Sequence, residues 1–260
     1  MKKKYSLALW WWAALWILHI WVIKYLEEND IKIKEISWTS MWALVASFYA
    51  IWKTSKYMRK FAKDVEYIKL LDFDLKNWLL KWNKIYKKLE EVFWDKKIED
   101  LDIKLKIIAT DIENGKKKVF TKWKIVDAVR ASISLPWIFI PHEIKWKNYV
   151  DGWILNNLPI DDLEWKNIIA VSSIKSVTWL LKRKRKILWF NLNIWFFNMN
   201  FQILQRSLLL MMKGNEDASI ANKKGDIILV RPDTNWFEFH SFNKVDGLIN
   251  IWYNEIKGIL

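Results

Sequence analysis

Two rhythms of apolar and polar positions take turns along this chain, one with a period of two and one with apolar residues three and four apart. Residues 5–9 and 33–37 read as short strands, the second alternating and rich in β-branched side chains. A helix is predicted to end near Asn29, a turn spans residues 38–42, and residues 43–51 open another helix. From 54 to about 93 the pattern is mostly helical, with Ile85, Tyr86, Leu89, Val92 and Phe93 at helical spacing. Strands are predicted at 105–112 and 118–121, joined by the turn Glu113, Asn114 and Gly115, and a helix at 125–133 stops before Pro136. Tyr149 and Val150 close a strand that delivers Asp151. A buried strand at 168–173, a helix at about 196–212, a strand at 227–230 and an amphipathic helix at 245–259 complete the chain. Strands alternating with helices predict an α/β fold with a mostly parallel sheet covered on both faces. Neither an internal repeat nor a flexible linker interrupts it, so residues 1–260 are read as one domain.

Tryptophan changes the picture at the amino terminus. The chain holds 21 Trp and only 6 Gly, whereas ordinary usage puts glycine at about 7% of residues. The tryptophans stand where turns call for glycine: Trp10, Trp11 and Trp12 in a row, Trp137 after Pro136, and Trp153 after Asp151 and Gly152. A positive φ or a close backbone approach at such places penalises a bulky side chain. We therefore read many of these positions as glycines of the native protein whose UGA codons have been rendered as tryptophan; an unshifted intact mass of the native gene product would refute this reading. Taken literally, Lys2, Lys3 and Lys4 before an apolar run over residues 5–23 look like a signal segment or membrane anchor. With glycine at the Trp positions the same run becomes a strand, a glycine loop at 10–12 and a helix, in agreement with the rest of the pattern.

Charge and composition narrow the function classes. The formal net charge is +14, with 43 basic and 29 acidic residues interspersed, and the one dense run is Lys182, Arg183, Lys184, Arg185 and Lys186. That run reads first as a solvated loop and second as a patch for peripheral contact with an anionic membrane. Nucleic acid is not an expected partner, because no recognition module accompanies the run. The absence of cysteine excludes a disulfide framework, a thiolate metal site and a cysteine nucleophile, and fits a cytoplasmic location. Three scattered histidines argue against a histidine-rich metal site.

Three segments carry candidate chemistry. Trp38, Thr39, Ser40, Met41 and Trp42 lie between a strand and a helix; with glycine at 38 and 42 they form the G-x-S-x-G nucleophile elbow. A tight turn there projects the serine hydroxyl, and the following helix aims amide N–H groups and its positive end at the reacting centre. The bland alternative makes Ser40 a helix N-cap. Trp10, Trp11 and Trp12, read as three glycines after the first strand, expose the backbone donors that an oxyanion hole needs, or else a plain turn. Asp151, Gly152 and Trp153, followed by Asn156, Asn157, Leu158 and Pro159, place an acid at a strand end, where it can serve as a base or as an ordinary turn aspartate.

Together these segments resemble the patatin-like phospholipase family, over most of the chain. With Trp read as Gly, residues 9–23 resemble its glycine-rich oxyanion loop and the helix after it, and 38–42 resemble its nucleophile motif. Ala109, Thr110 and Asp111, then the segment from Ala131 and Ser132 through Ser134, Leu135, Pro136, Trp137, Ile138 and Phe139, resemble further family segments. Residues 149–153 resemble its D-G-G element, 156–159 the N-x-P that trails it, and 246–253 its terminal helix. One departure is Leu15, where the family commonly has Lys or Arg. The resemblance implies a three-layer α/β/α domain and a Ser–Asp dyad without histidine. Ser40 is then the nucleophile and Asp151 its base, with Trp10, Trp11, Trp12 and Met41 at the oxyanion and substrate. Trp38, Trp42, Gly152 and Trp153 shape the turns. The implied partner is a lipid or acyl-ester substrate. Two other readings stand beside it: a Trp-rich, amino-terminally anchored, non-enzymatic protein of the membrane surface, and an acyltransferase or lipid binder on the same fold.

Overall fold

In the computed structural model the described residues are 4–10, 19–64, 73–74, 79–80, 83–136, 138–172, 192–231, 253 and 256–259. The strands are β1 (Tyr5–Trp10), β2 (Ile33–Thr39), β3 (Phe73–Asp74), β4 (Leu79–Leu80), β5 (Lys104–Asp111), β6 (Lys116–Phe120), β7 (His142–Ile144), β8 (Lys147–Asp151), β9 (Asn167–Ser172) and β10 (Asp226–Val230). The helices are α1 (His19–Glu28), α2 (Trp42–Ala50), α3 (Ser55–Asp64), α4 (Asn83–Phe93), α5 (Ile125–Ser132) and α6 (Leu192–Asn222). The main sheet runs β10-β9-β1-β2-β5-β8-β7, with β6 also paired to β5. From β10 to β5 every neighbour is parallel; β6, β7 and β8 join antiparallel.

Burial on both faces explains why the parallel strands are almost continuously apolar. In β9, Ile169 and Val171 enter one core with Leu7, Ile36, Val45 and Phe48, while Ile168 and Ala170 enter a second core with Ala8, Leu158 and Met212. Helices α1 to α5 cover the first face and α6 the second, so the fold is the three-layer α/β/α arrangement with a mostly parallel sheet. The amino-terminal run opens as a central strand, not as the first turns of an anchor helix. Among the described residues no helix is long and apolar enough to cross a membrane.

Several boundaries differ from the sequence pattern. The stretch 54–93 is not one helical region: α3 and α4 flank a small β3–β4 hairpin. Trp38 extends β2 and Trp42 begins α2, so the turn shrinks to Ser40 and Met41. The predicted helix at 196–212 runs from Leu192 to Asn222. Of hairpin β7–β8 only the end of β8, at Tyr149 and Val150, had a sequence signal; its turn is Lys145 and Trp146, both with positive φ (50° and 64°). Such a turn normally advertises itself with glycine. Trp52, Trp94 and Trp123 also have positive φ (63°, 49° and 124°). Trp is thus the residue type found most often among the described non-glycine residues in that region of backbone space, which supports the glycine reading of these positions. The basic run 182–186, Trp137, and all but a few residues of the closing segment lie outside the described residues.

Candidate active site

Edge sharing on β5 sets the geometry. β2 pairs with β5 up to Thr39 and Ile108, while β8 pairs with it from Asp111 back to Ala109, opposite Asp151. β6 occupies residues 107–111 of β5 and overlaps both, so β2 and β8 must lie along the same edge of β5. One rises toward the junction and the other descends toward it. Their ends, Ser40 and Asp151, therefore meet head to head.

At that junction the Ser40 hydroxyl donates to Asp151 Oδ2 at 2.5 Å. Ser40 has φ 66°, a left-handed conformation that costs a non-glycine residue energy and turns its side chain out of the strand. Met41 follows in helical conformation, and α2 begins at once with Trp42. Asp151 is fully buried; its Oδ1 accepts the Trp153 N–H at 3.1 Å. Burial pushes its carboxyl up to about 7, against the opposing pull of the Ser40 hydroxyl and the Trp153 and Gly152 amides. Among the described residues no cation contributes to that balance.

Neighbouring polar groups fix the loop that carries Asp151. Its N–H donates to the Ser134 carbonyl at 2.9 Å, and the Thr110 hydroxyl donates to its carbonyl at 3.1 Å. Thr39 donates to the Asn156 carbonyl at 2.8 Å, and Asn156 Nδ2 donates to Asp161 at 2.7 Å. Gly152 has no room for a side chain: a Cβ there would lie 2.5 Å from the Ile108 carbonyl oxygen. Trp153 continues into a 3-10 turn over Gly152–Ile154 and is buried in the second core.

The other sequence-predicted positions fall as follows. Trp38 and Trp42 are fully buried in the first core on either side of the Ser40 turn. Trp10 ends β1 beside Ser172 of β9, at the carboxyl edge of the sheet where ligands bind in such folds. Trp11, Trp12 and Leu15 lie outside the described residues. His19 is a core residue on α1; its ring packs on Trp42 with centroids 4.0 Å apart, and burial drives its pKa down to about 3. His142 bonds to Asp127 at 3.2 Å. Among the described residues no cluster of His, Cys, Asp or Glu could hold a metal ion. Ser132 was not singled out as a site residue by the sequence. Its hydroxyl accepts the Ser40 N–H at 2.8 Å and donates to the Ile108 carbonyl at 2.6 Å. The only cue to it was its place in the 131–139 segment.

Comparison with known proteins gives a family match and several relatives. The family model described as patatin-like phospholipase matches residues 13–164. An uncharacterized NTE family protein of Mycobacterium tuberculosis is 32% identical over 161 residues, which is 59% of this chain and 44% of that protein. A lysophospholipase, NTE1, of Candida albicans is 28% identical over 165 residues, 60% of this chain and 12% of that protein. The chain thus matches less than half the length of either relative. In fold it is similar to VipD from Legionella pneumophila, with a TM-score of 0.61 and 12% identity over 99% of this chain and 66% of that one.

Proposed function

The chain belongs to the patatin-like phospholipase family, and from that premise we propose that it is a serine hydrolase of lipid acyl esters in which Ser40 is the nucleophile and Asp151 its base. The contact that carries this reading is the 2.5 Å bond from the Ser40 hydroxyl to a fully buried carboxylate with no cation beside it among the described residues. A base with its pKa near 7 is well matched to deprotonating a hydroxyl near neutral pH.

The reaction follows from the placement. Ser40 Oγ attacks the ester carbonyl as its proton passes to Asp151 Oδ2. The Met41 N–H and the backbone of residues 10–12 stabilise the oxyanion. Collapse breaks the bond to the leaving alcohol, which takes the proton from Asp151. Water then attacks the acyl–Ser40 ester, giving its proton to Asp151, and Ser40 recovers that proton as the fatty acid leaves. Each step is acid–base or acyl transfer and needs no cofactor. Phospholipids, lysophospholipids and related esters are the substrate class, reached by peripheral contact with a membrane from the cytoplasm.

Purified protein should release fatty acid from a lysophospholipid and p-nitrophenol from short p-nitrophenyl esters. Ser40→Ala should abolish both, and retained turnover would remove Ser40 from the mechanism. An acceptor alcohol added to the assay should yield mainly free acid; mainly transesterified product would redirect the assignment to acyl transfer.

A further inference from the structure

Ser132 stands where the β2–β5 ladder should have had its next rung. In a parallel ladder that ends at Thr39 and Ile108, the following bond would run from the Ser40 N–H to the Ile108 carbonyl. Ser40 instead turns into positive φ, and the Ser132 hydroxyl fills the gap. It accepts from Ser40 at 2.8 Å and donates to Ile108 at 2.6 Å, with both serines buried. Two residues on, the Ser134 carbonyl accepts the Asp151 N–H at 2.9 Å. One short segment at the end of α5 thus holds the backbone on both sides of the Ser40–Asp151 contact. The Ile108 carbonyl is its fixed point, since it receives the Ser132 hydroxyl and also lies against Gly152.

We propose that Ser132 is a positioning residue for the hydrolysis: its hydroxyl relays the broken rung and thereby holds Ser40 within reach of Asp151. This rests on the Ser40–Asp151 reading above. It has a second consequence. The Ser40 N–H is spent on Ser132, so Ser40 itself is not a donor to the oxyanion. The relay also explains how a strained φ persists at Ser40, because its amide keeps a buried partner after leaving the ladder.

The test uses the full chain and counts intact sites by fluorophosphonate titration of Ser40, so that rates are expressed per reactive site. Threonine and valine have the same shape and differ in the hydroxyl. Ser132→Val should lower kcat per titrated site by about 100-fold with KM nearly unchanged, the scale on which small misplacements act. Ser132→Thr should stay within about threefold of the parent. Equal per-site rates for Thr and Val would overturn the role of Ser132. If Ser132→Val leaves too few reactive sites to count, fluorophosphonate labelling far slower in it than in Ser132→Thr at equal thermal stability still supports the relay, and equal labelling rates overturn it. Full turnover by Ser40→Ala in the same series would show that the nucleophile assignment itself had failed, whatever Ser132 does.

Discussion

Glu35 and Asp151 are both fully buried carboxylates in one sheet, and the protein treats them in opposite ways. Glu35, near the amino end of β2, receives the Ser6 hydroxyl and the Glu164 and Trp165 amides, and lies 2.7 Å from the Lys106 ammonium. Asp151, where β8 meets the carboxyl end of β2, also receives one serine hydroxyl and a backbone amide, but among the described residues its charge has no ammonium beside it. The difference lies in the cation. A buried charge that is fully paired holds elements together and is quiet chemically. A buried carboxylate left unpaired keeps a high affinity for protons, which is a cost to the fold and the property a base requires. β2 thus carries a paired acid on itself at one end and leads, at the other, to the serine that meets the proposed base.

The largest effect expected from breaking this contrast is at the reactive end. Asp151→Asn keeps the shape and removes the proton acceptor, so kcat should fall on the order of 10⁴-fold, as loss of a triad aspartate does elsewhere. Steady-state turnover of a p-nitrophenyl ester measures it, and a loss of less than tenfold would take the base role away from Asp151. At the structural end the expected outcome is the reverse. Lys106→Met strands Glu35 without its counter-charge, which should cost about 3–5 kcal/mol of stability in urea unfolding. Turnover per folded molecule should stay unchanged. If Lys106→Met instead lowered turnover without lowering stability, the two ends would not be separate in function.

These two acids were not equally legible in the sequence. Asp151 stood out because a turn follows it, and Ser40 because a strand and a helix bracket it. Glu35 sat unremarked inside an alternating strand, because its partners come from Ser6, Lys106 and residues 164–165, far away along the chain. Ser132 was hidden for the same reason: the residue it serves is 92 positions away. The parallel strands and most of their order of appearance were readable, since burial on both faces writes a long apolar run. The end of β8 that delivers Asp151 was readable too, but β7 and its turn were not, because Trp146 occupies the turn position where glycine would have announced it. The β3–β4 hairpin failed differently, its strands being two residues each, too short to establish a period.

The third effect is one of pH, and it concerns Asp151. The Asp151 pKa is raised from the ordinary 3.8 to about 7. Between those values the folded state holds a proton that the unfolded chain has already lost. Stability contributed by this group therefore falls as pH rises through the window and levels off above 7. In the proposed mechanism activity moves the other way, because the ionised carboxylate would be the base: kcat should rise roughly tenfold per pH unit below about 7 and then reach a plateau. Asp151→Asn should remove this stability slope. A flat rate profile between pH 5 and 7 would show that the acid is already ionised and that burial does not set its basicity.

The smallest effect sharpens the structural side of the comparison. Lys104 and Lys106 lie two residues apart on β5, and both bond to Glu164, at 2.7 and 3.0 Å. Lys106 also reaches Glu35 and is nearly enclosed, with a side chain 10% exposed, whereas the Lys104 side chain is 60% exposed. Water and salt screen the outer lysine and leave the inner one unscreened. Lys104→Ala should therefore cost less than about 1 kcal/mol, and that cost should shrink further as ionic strength rises. Urea unfolding of both variants at low and high salt makes the comparison. If Lys104→Ala proved as costly as Lys106→Met, proximity to Glu164 alone would set the stability of this end of the sheet, and burial of the charge would not be what distinguishes Glu35 from Asp151.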